Sequence, residues 1–234
     1  MSSKFARRFV IALLAGFALS ACGDSEPTQR KAFGDFLQTR IIDKPGLHVP
    51  KPSDDELKSF GPYAKDYGII TGFNEAMSAK VSGPKQAAMQ KGVFRSIDEL
   101  LTRRSDLTAA ADGFKTLRTA LDEELAKAEA AHAALNEPAD LKPIFDKAYE
   151  RTVSGPAKAF EDIFPAVDSA LKAAGDLADF LDKHRDTVKV NGGMVQASDP
   201  KLVAEINRLI QALNGNSQAV TEAQRKLQTL IQGS

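Results

Sequence analysis

Residues 105–135 read SDLTAAADGFKTLRTALDEELAKAEAAHAAL. In this stretch Leu107, Ala110, Phe114, Leu117, Leu121, Leu125, Ala128, His132 and Leu135 recur at steps of three and four, with one extra step of four between Leu121 and Leu125. Such spacing lines apolar side chains along one face of a helix, as in a coiled-coil seam. Ser105 can cap its start, and Asn136 to Pro138 ends it. The spacing therefore predicts a helix of roughly 30 residues, about 45 Å long at 1.5 Å per residue.

Working outward, helical periods continue on both sides. Upstream, Phe33, Phe36, Leu37 and Ile41 share a face between Thr28 and Ile42, and Lys44-Pro45-Gly46 stops that helix. Ser53 with Glu56 forms a capping box. Gly61-Pro62 then opens a helix carrying Tyr63, Tyr67, Ile70, Phe73 and Met77 to about Val81. A second box, Ser96 with Glu99, starts a short helix ending near Arg104. Downstream, Asp140 is the expected cap of a helix through Leu141, Phe145, Tyr149 and Val153. The next helix carries Phe160, Phe164, Val167, Leu171, Leu177 and Leu181, and Pro165 should kink or break it. Val-Ser-Gly-Pro occurs at 81–84 and again at 153–156. Both copies read as punctuation between helices, with a duplicated domain as the alternative. One segment has a strand pattern: Thr187–Val190 and Met194–Ala197 alternate around Asn191-Gly192-Gly193, a hairpin signal. Asp199-Pro200 opens a helix that Asn214-Gly215 should close, leaving a final helix with Val220, Leu227 and Ile231. The expected fold is an all-α bundle of six to eight helices, with one long coiled-coil-like helix and a small β-hairpin near 187–197.

The N-terminus carries an address. Lys4, Arg7 and Arg8 precede eleven apolar or small residues, Phe9 to Leu19. Eleven is too few for a membrane span, which needs roughly 20, and the pattern is that of a secretory signal. Leu19-Ser20-Ala21-Cys22 looks like the lipobox of bacterial lipoprotein precursors. Small residues admit the backbone to the peptidase, and the thiol can act as the nucleophile that takes a diacylglyceryl group. This implies cleavage before Cys22 and a lipid anchor there; an ordinary secretory signal with an incidental cysteine is the alternative. The expected organisation is a signal peptide at 1–21, a tether at 22–28 and one helical periplasmic domain at 29–234. Gly23 rather than Asp follows the cysteine. By the best-known sorting rule, that favours the outer membrane facing the periplasm over the inner membrane.

Cleavage would leave 213 residues, with 28 Lys and Arg against 31 Asp and Glu. That length suits one substantial core or two small ones. The two signs are interleaved, so no basic stripe points to nucleic acid. Cys22 is the single cysteine, so the fold must hold by packing without a disulfide.

The residues that could do chemistry are scattered. His48, His132 and His184 lack a second ligand at metal spacing, and no metal or cofactor is expected. His132 continues an apolar stripe and suits a buried, hydrogen-bonded histidine. No nucleophile elbow or phosphate loop is present. Neighbouring acids at 54–56, 122–124 and 161–162 point about 100° apart on a helix, so spacing does not pair them. The aromatic set Phe33, Phe36, Phe60, Tyr63, Tyr67 and Phe73 is core by its spacing. The sharper alternative is that Phe33, Phe36, Tyr63, Tyr67 and Phe73 line a groove for a partner helix or an acyl chain.

Gln29-Arg30-Lys31-Ala32-Phe33, Asp35-Phe36-Leu37-Gln38, Phe60-Gly61-Pro62-Tyr63, Asp66-Tyr67, Ala131-His132, Asp140-Leu141-Lys142-Pro143 and Phe145-Asp146, in that order, resemble the YiaF-like proteobacterial lipoproteins. Asn191-Gly192 falls at a similar turn. That family is described as a domain of unknown function. The resemblance implies an envelope lipoprotein and assigns no catalytic or binding residue. The expected function is therefore a non-catalytic interaction or scaffold module, held on the membrane by its lipid and engaging an envelope protein. The alternatives are a binding protein for a lipid or other apolar ligand, which requires a cavity, and a peptidoglycan-acting enzyme, which requires facing carboxylates.

Overall fold

The computed structural model describes residues 25–92, 94–191 and 193–233, and the side chains of all of these but 82–90. Leu19, Ser20, Ala21 and Cys22 lie outside the described residues. Helix α1 (Glu26–Leu37) runs on into a π-turn, Gln38–Ile42, that buries Ile41 and Ile42. The box at Ser53 and Glu56 forms in full at the head of α2 (Asp54–Phe60), with the Glu56 amide donating to Ser53 Oγ at 3.2 Å and the Ser53 amide to Glu56 Oε2 at 2.7 Å. Gly61, at φ 56°, turns the chain through a short 3₁₀ segment into α3 (Ala64–Gly92). Helix α4 (Ile97–Thr102) is capped by Ser96. The long helix is α5 (Arg104–Ala133), packed along α3. It begins one residue before Ser105, which caps nothing.

Helices α6 (Lys142–Tyr149) and α7 (Gly155–Glu161) are joined by a π-turn, Glu150–Ser154. Asp140 does not cap α6; it pairs with Arg30 at 3.3 Å. The break expected at Pro165 is present: α7 stops at Glu161, and α8 (Phe164–Lys183) starts with the proline in its first turn. Strands β1 (Val188–Asn191) and β2 (Met194–Ala197) pair antiparallel, Val190 opposite Val195. Helix α9 (Pro200–Gln232) completes the chain, with Asp199 accepting from the Lys201 amide at 2.8 Å. The architecture is the all-α bundle with one small hairpin that the sequence predicts.

Two expected stops are absent: helix α3 passes Val81–Pro84 without a break, and α9 passes Asn214-Gly215. The second Val-Ser-Gly-Pro copy does divide two helices, α6 and α7, with Pro156 in the first turn of α7, though a π-turn joins them. That junction has a clear physical reason. A proline cannot donate to the turn before it, and a π-turn absorbs such a defect. Asn74 Nδ2 on α3 donates to the Thr152 carbonyl at 3.1 Å, so that turn stays satisfied. Gly155 is required there, since a Cβ would lie 2.8 Å from the Glu150 carbonyl oxygen.

Two main cores result. The first gathers α1, α2, α3, the second half of α5, and α6 to α7, around Phe33, Phe60, Tyr67, Leu121 and Phe145. The second gathers α4, α8, the hairpin and the first half of α9, around Leu100, Leu177, Leu181, Ile206 and Leu209. A seam of Ile163, Val167 and Leu227, with Phe114 and Phe160, joins them.

Candidate functional site

The aromatic set sits in the first core. Phe33, Phe36, Tyr63, Tyr67 and Phe73 are between 0% and 8% exposed. Phe33 stacks on Tyr63 at 5.9 Å, and Phe36 meets Tyr67 edge-on at 5.2 Å. The hydroxyls have partners: Tyr67 donates to the Pro50 carbonyl at 2.5 Å and Tyr63 to Glu26. The rings spend their surface on one another, and none lines a described cavity.

Beside this core is a polar cluster that brings together His132 of α5, Glu137 of the loop that follows and Lys142 and Asp146 of α6. His132 Nε2 lies 2.8 Å from Asp146 Oδ1, and its ring stacks on Tyr149 at 4.1 Å. Lys142 Nζ donates to the same carboxylate at 2.9 Å. Burial works to raise the Asp146 carboxyl, but the hydrogen bonds from Lys142 and His132 outweigh it and hold it below its usual range. Glu137 Oε1 is buried with no hydrogen-bond partner. Burial first, then the charges of Asp66 and Asp146, push the Glu137 carboxyl up to about 7, against Lys142. The other histidine of interest, His184, ends α8 and stacks on Phe180 at 4.4 Å. Among the described residues no group of three or more His, Cys, Asp or Glu is gathered to hold a metal. The acids at 122–124 diverge as spacing requires: Glu124 turns inward between Lys80 at 2.6 Å and Lys127 at 2.7 Å, and its neighbours face solvent.

The second core does not close completely. Between α4, α5, α8 and α9 lies a partly open cavity of about 610 Å³. From α8 it takes Val167, Ala170, Leu171, Ala174 and Leu177; from α9, Ile210, Leu213, Asn214, Ser217, Val220 and Gln224. Leu107 and Phe114 of α5, Ile97 and Leu100 of α4 and Gly92 at the end of α3 close it further, and Phe94, Arg95, Ser96 and Gly193 also line it. The hairpin turn is tied to this wall by the Gly193 amide, which donates to Asp98 Oδ2 at 2.7 Å. The size and the mostly apolar lining are those of a small-molecule site. Sequence reasoning placed its possible groove in the other core. The missed signal is on α9: Asn214, Ser217 and Gln224 are polar at positions where an apolar stripe continues through Leu213, Val220 and Leu227. These three side chains are exposed along the open side of the cavity, where the stripe does not finish packing.

A second, more open cleft runs between the 42–46 loop, the π-turn and the end of α9. Arg151 fills part of it, donating to the carbonyls of Lys44 and Gly46, and the Leu47 amide donates to the Ile231 carbonyl at 2.9 Å. It ties chain segments together and lacks an apolar wall of comparable extent. No helix among the described residues is long and apolar enough to cross a membrane.

Comparison with known proteins adds a family and no activity. The family model described as "Protein of unknown function (DUF3053)" matches residues 10–228. The chain is 31% identical over 213 residues to the "Uncharacterized protein YiaF" of Escherichia coli (strain K12), covering 91% of this chain and 90% of that one. It matches the proteins of the same name from Escherichia coli O157:H7 and Shigella flexneri to the same extent. No solved structure matches it. The order of short motifs and the match over nine-tenths of both chains agree, and this chain belongs to the YiaF-like family of uncharacterised proteins.

Proposed function

We propose that this chain is an acylated protein of the bacterial envelope whose folded domain binds an apolar ligand and catalyses no reaction. The observation that carries the binding half is the cavity of about 610 Å³ in the second core. Its described lining holds no His, Cys, Asp or Glu, so it offers burial and not acid–base chemistry. The address rests on Leu19-Ser20-Ala21-Cys22. Three acyl tails on Cys22 would hold the protein in one leaflet, since each buried CH₂ contributes about 0.8 kcal/mol. The outer membrane, facing the periplasm, is the leaflet that Gly23 favours over the inner membrane.

Interaction with an envelope protein is the second reading. Leu230 and Ile231, 36% and 44% exposed on the last turns of α9, favour it.

Native mass spectrometry of the protein extracted from envelopes tests the binding role. A co-purified small amphiphile is expected, and Leu171→Trp, which fills the cavity, should lose it. A wild-type chain that carries no ligand and takes up no added apolar probe would overturn the proposal. For the anchor, Cys22→Ser should abolish labelling by a fatty-acid precursor, and unchanged labelling would refute it.

A further inference from the structure

The cavity has a shape and one charge, and together they narrow the ligand. Val167, Ala170, Leu171, Ala174 and Leu177 of α8 line it, spaced along about 15 Å of helix axis. The lining residues of α9 run from Ile210 to Gln224, about 21 Å. The lining follows two neighbouring helices along their axes, so the partly open cavity is elongated. It accommodates a linear chain better than a fused ring system. Arg95 is the one charged residue among the described lining residues. It is exposed, and its guanidinium has no ion pair among the described residues. The nearby acids bond other groups, Glu99 to Arg103 and the Arg95 amide and Asp98 to the Gly193 amide, and the Arg95 charge reaches Glu99 only as the weakest of the effects that lower its carboxyl. Asn214 and Gln224 add uncharged polar side chains to the lining.

We infer that the cavity takes a single-chain amphiphile with an anionic head, the chain lying along α8 and α9 and the head at the Arg95 guanidinium. This rests on the cavity being a ligand site, as proposed above, and adds the sign of the head group and the residue that meets it. A free fatty acid and a lysophospholipid of net negative head, such as lysophosphatidylglycerol, both have this chemistry. A cation at a rim steers an anion and gives a modest, salt-sensitive gain, so the chain supplies most of the affinity and Arg95 the discrimination.

The test uses the acylated full-length protein in lipid nanodiscs. Three photoreactive twelve-carbon probes are titrated against it: a carboxylate, an alcohol and a trimethylammonium. Crosslinking to peptides of α8 and α9 gives a half-saturating concentration for each. The carboxylate should saturate lowest. Arg95→Gln should raise its half-saturating concentration three- to tenfold, abolish its salt dependence and leave the alcohol unchanged. Arg95 is exposed, so that variant keeps the fold. Unlabelled lysophosphatidylglycerol competing better than dodecanoate would identify a phosphodiester head, and the reverse a free acid; either supports the inference. If alcohol and carboxylate saturate alike and Arg95→Gln changes neither, the head-group inference is overturned while the cavity remains a ligand site. If no probe labels these helices, both fall.

Discussion

Glu137 is the residue whose surroundings oppose its ordinary state most directly. Its carboxyl is pushed up to about 7 by burial and by Asp66 and Asp146, with Lys142 acting the other way. An acid whose pKa is higher folded than unfolded binds more protons in the folded chain between the two values. Stability therefore falls as pH rises from about 4.5 to about 7 and is level above that. An unscreened shift of that size corresponds to roughly 3 kcal/mol. Glu137 is half-buried, and solvent screening reduces this to about 1–2 kcal/mol. Glu137→Gln should therefore stabilise the protein by about that amount at pH 8, and the gain should vanish near pH 4.5. Urea unfolding at the two pH values checks it; an equal gain at both would show that ionisation is not the cause. The same cluster shows how far a single residue is legible. His132 was expected to be buried and hydrogen-bonded; its bond to Asp146 and its stack on Tyr149 agree, while its side chain is 24% exposed and so only partly buried. The raised carboxyl beside it was invisible, because its burial comes first and arises only in the folded chain, and one opposing charge, Asp66, lies 71 residues upstream.

At the scale of elements, two glycines that look alike in sequence should respond oppositely to the same change. Gly155 faces the Glu150 carbonyl, and a Cβ there would sit at 2.8 Å. Gly155→Ala must push the π-turn apart or lose the Asn74 contact to Thr152, costing about 1–3 kcal/mol. Gly215 lies within α9, where a Cβ meets nothing within 4 Å. Gly215→Ala should add about 0.5–1 kcal/mol, since glycine is the weaker helix former. Thermal melting of both variants gives the signs directly, and destabilisation by Gly215→Ala would mean that α9 bends there in solution. Most element starts were legible because a start is chemical: Ser53, Ser96 and Asp199 each accept a backbone amide in the first turn. Stops were less so. A Gly or a Gly-Pro pair costs a helix about 1–3 kcal/mol locally, and a continuous apolar face can offset that. The face was present in the sequence: Leu213, Val220 and Leu227 keep a step of seven straight across Asn214-Gly215. The cavity was legible only in part, because a void is a property of four helices facing one another and no segment carries it alone.

Across the whole molecule, helix α1, which follows the proposed anchor in the chain, and most of the cavity belong to different cores. The described chain starts at Ser25, just before α1, and α1 packs into the first core with α2 and α6. The cavity is walled mostly by α4, α8 and α9, with the first half of α5; the first core reaches it through Gly92 at the end of α3 and through Phe114, and the seam through Val167, Leu171 and Val220. Nothing in its described lining comes from α1 to α2 or α6 to α7. The proposed lipid and the proposed ligand should therefore act independently. Cys22→Ser should release the protein from the membrane fraction and leave the half-saturating concentration of a carboxylate probe unchanged. Leu171→Trp should do the reverse, abolishing uptake while the protein stays membrane-bound. The seam of Ile163, Val167 and Leu227 adds a second readout, because it joins both cores. A ligand held in one core should stabilise the chain as a single unit. At a hundred times its Kd a ligand contributes about 2.7 kcal/mol, and a chain of this size moves roughly 2–4 °C per kcal/mol. The expected rise is about 5–10 °C in one cooperative transition. Two transitions, with only the later or the earlier shifted by the probe, would show that the seam does not couple the cores. A probe affinity that follows the state of Cys22 would show instead that the protein's own acyl chains compete for the cavity.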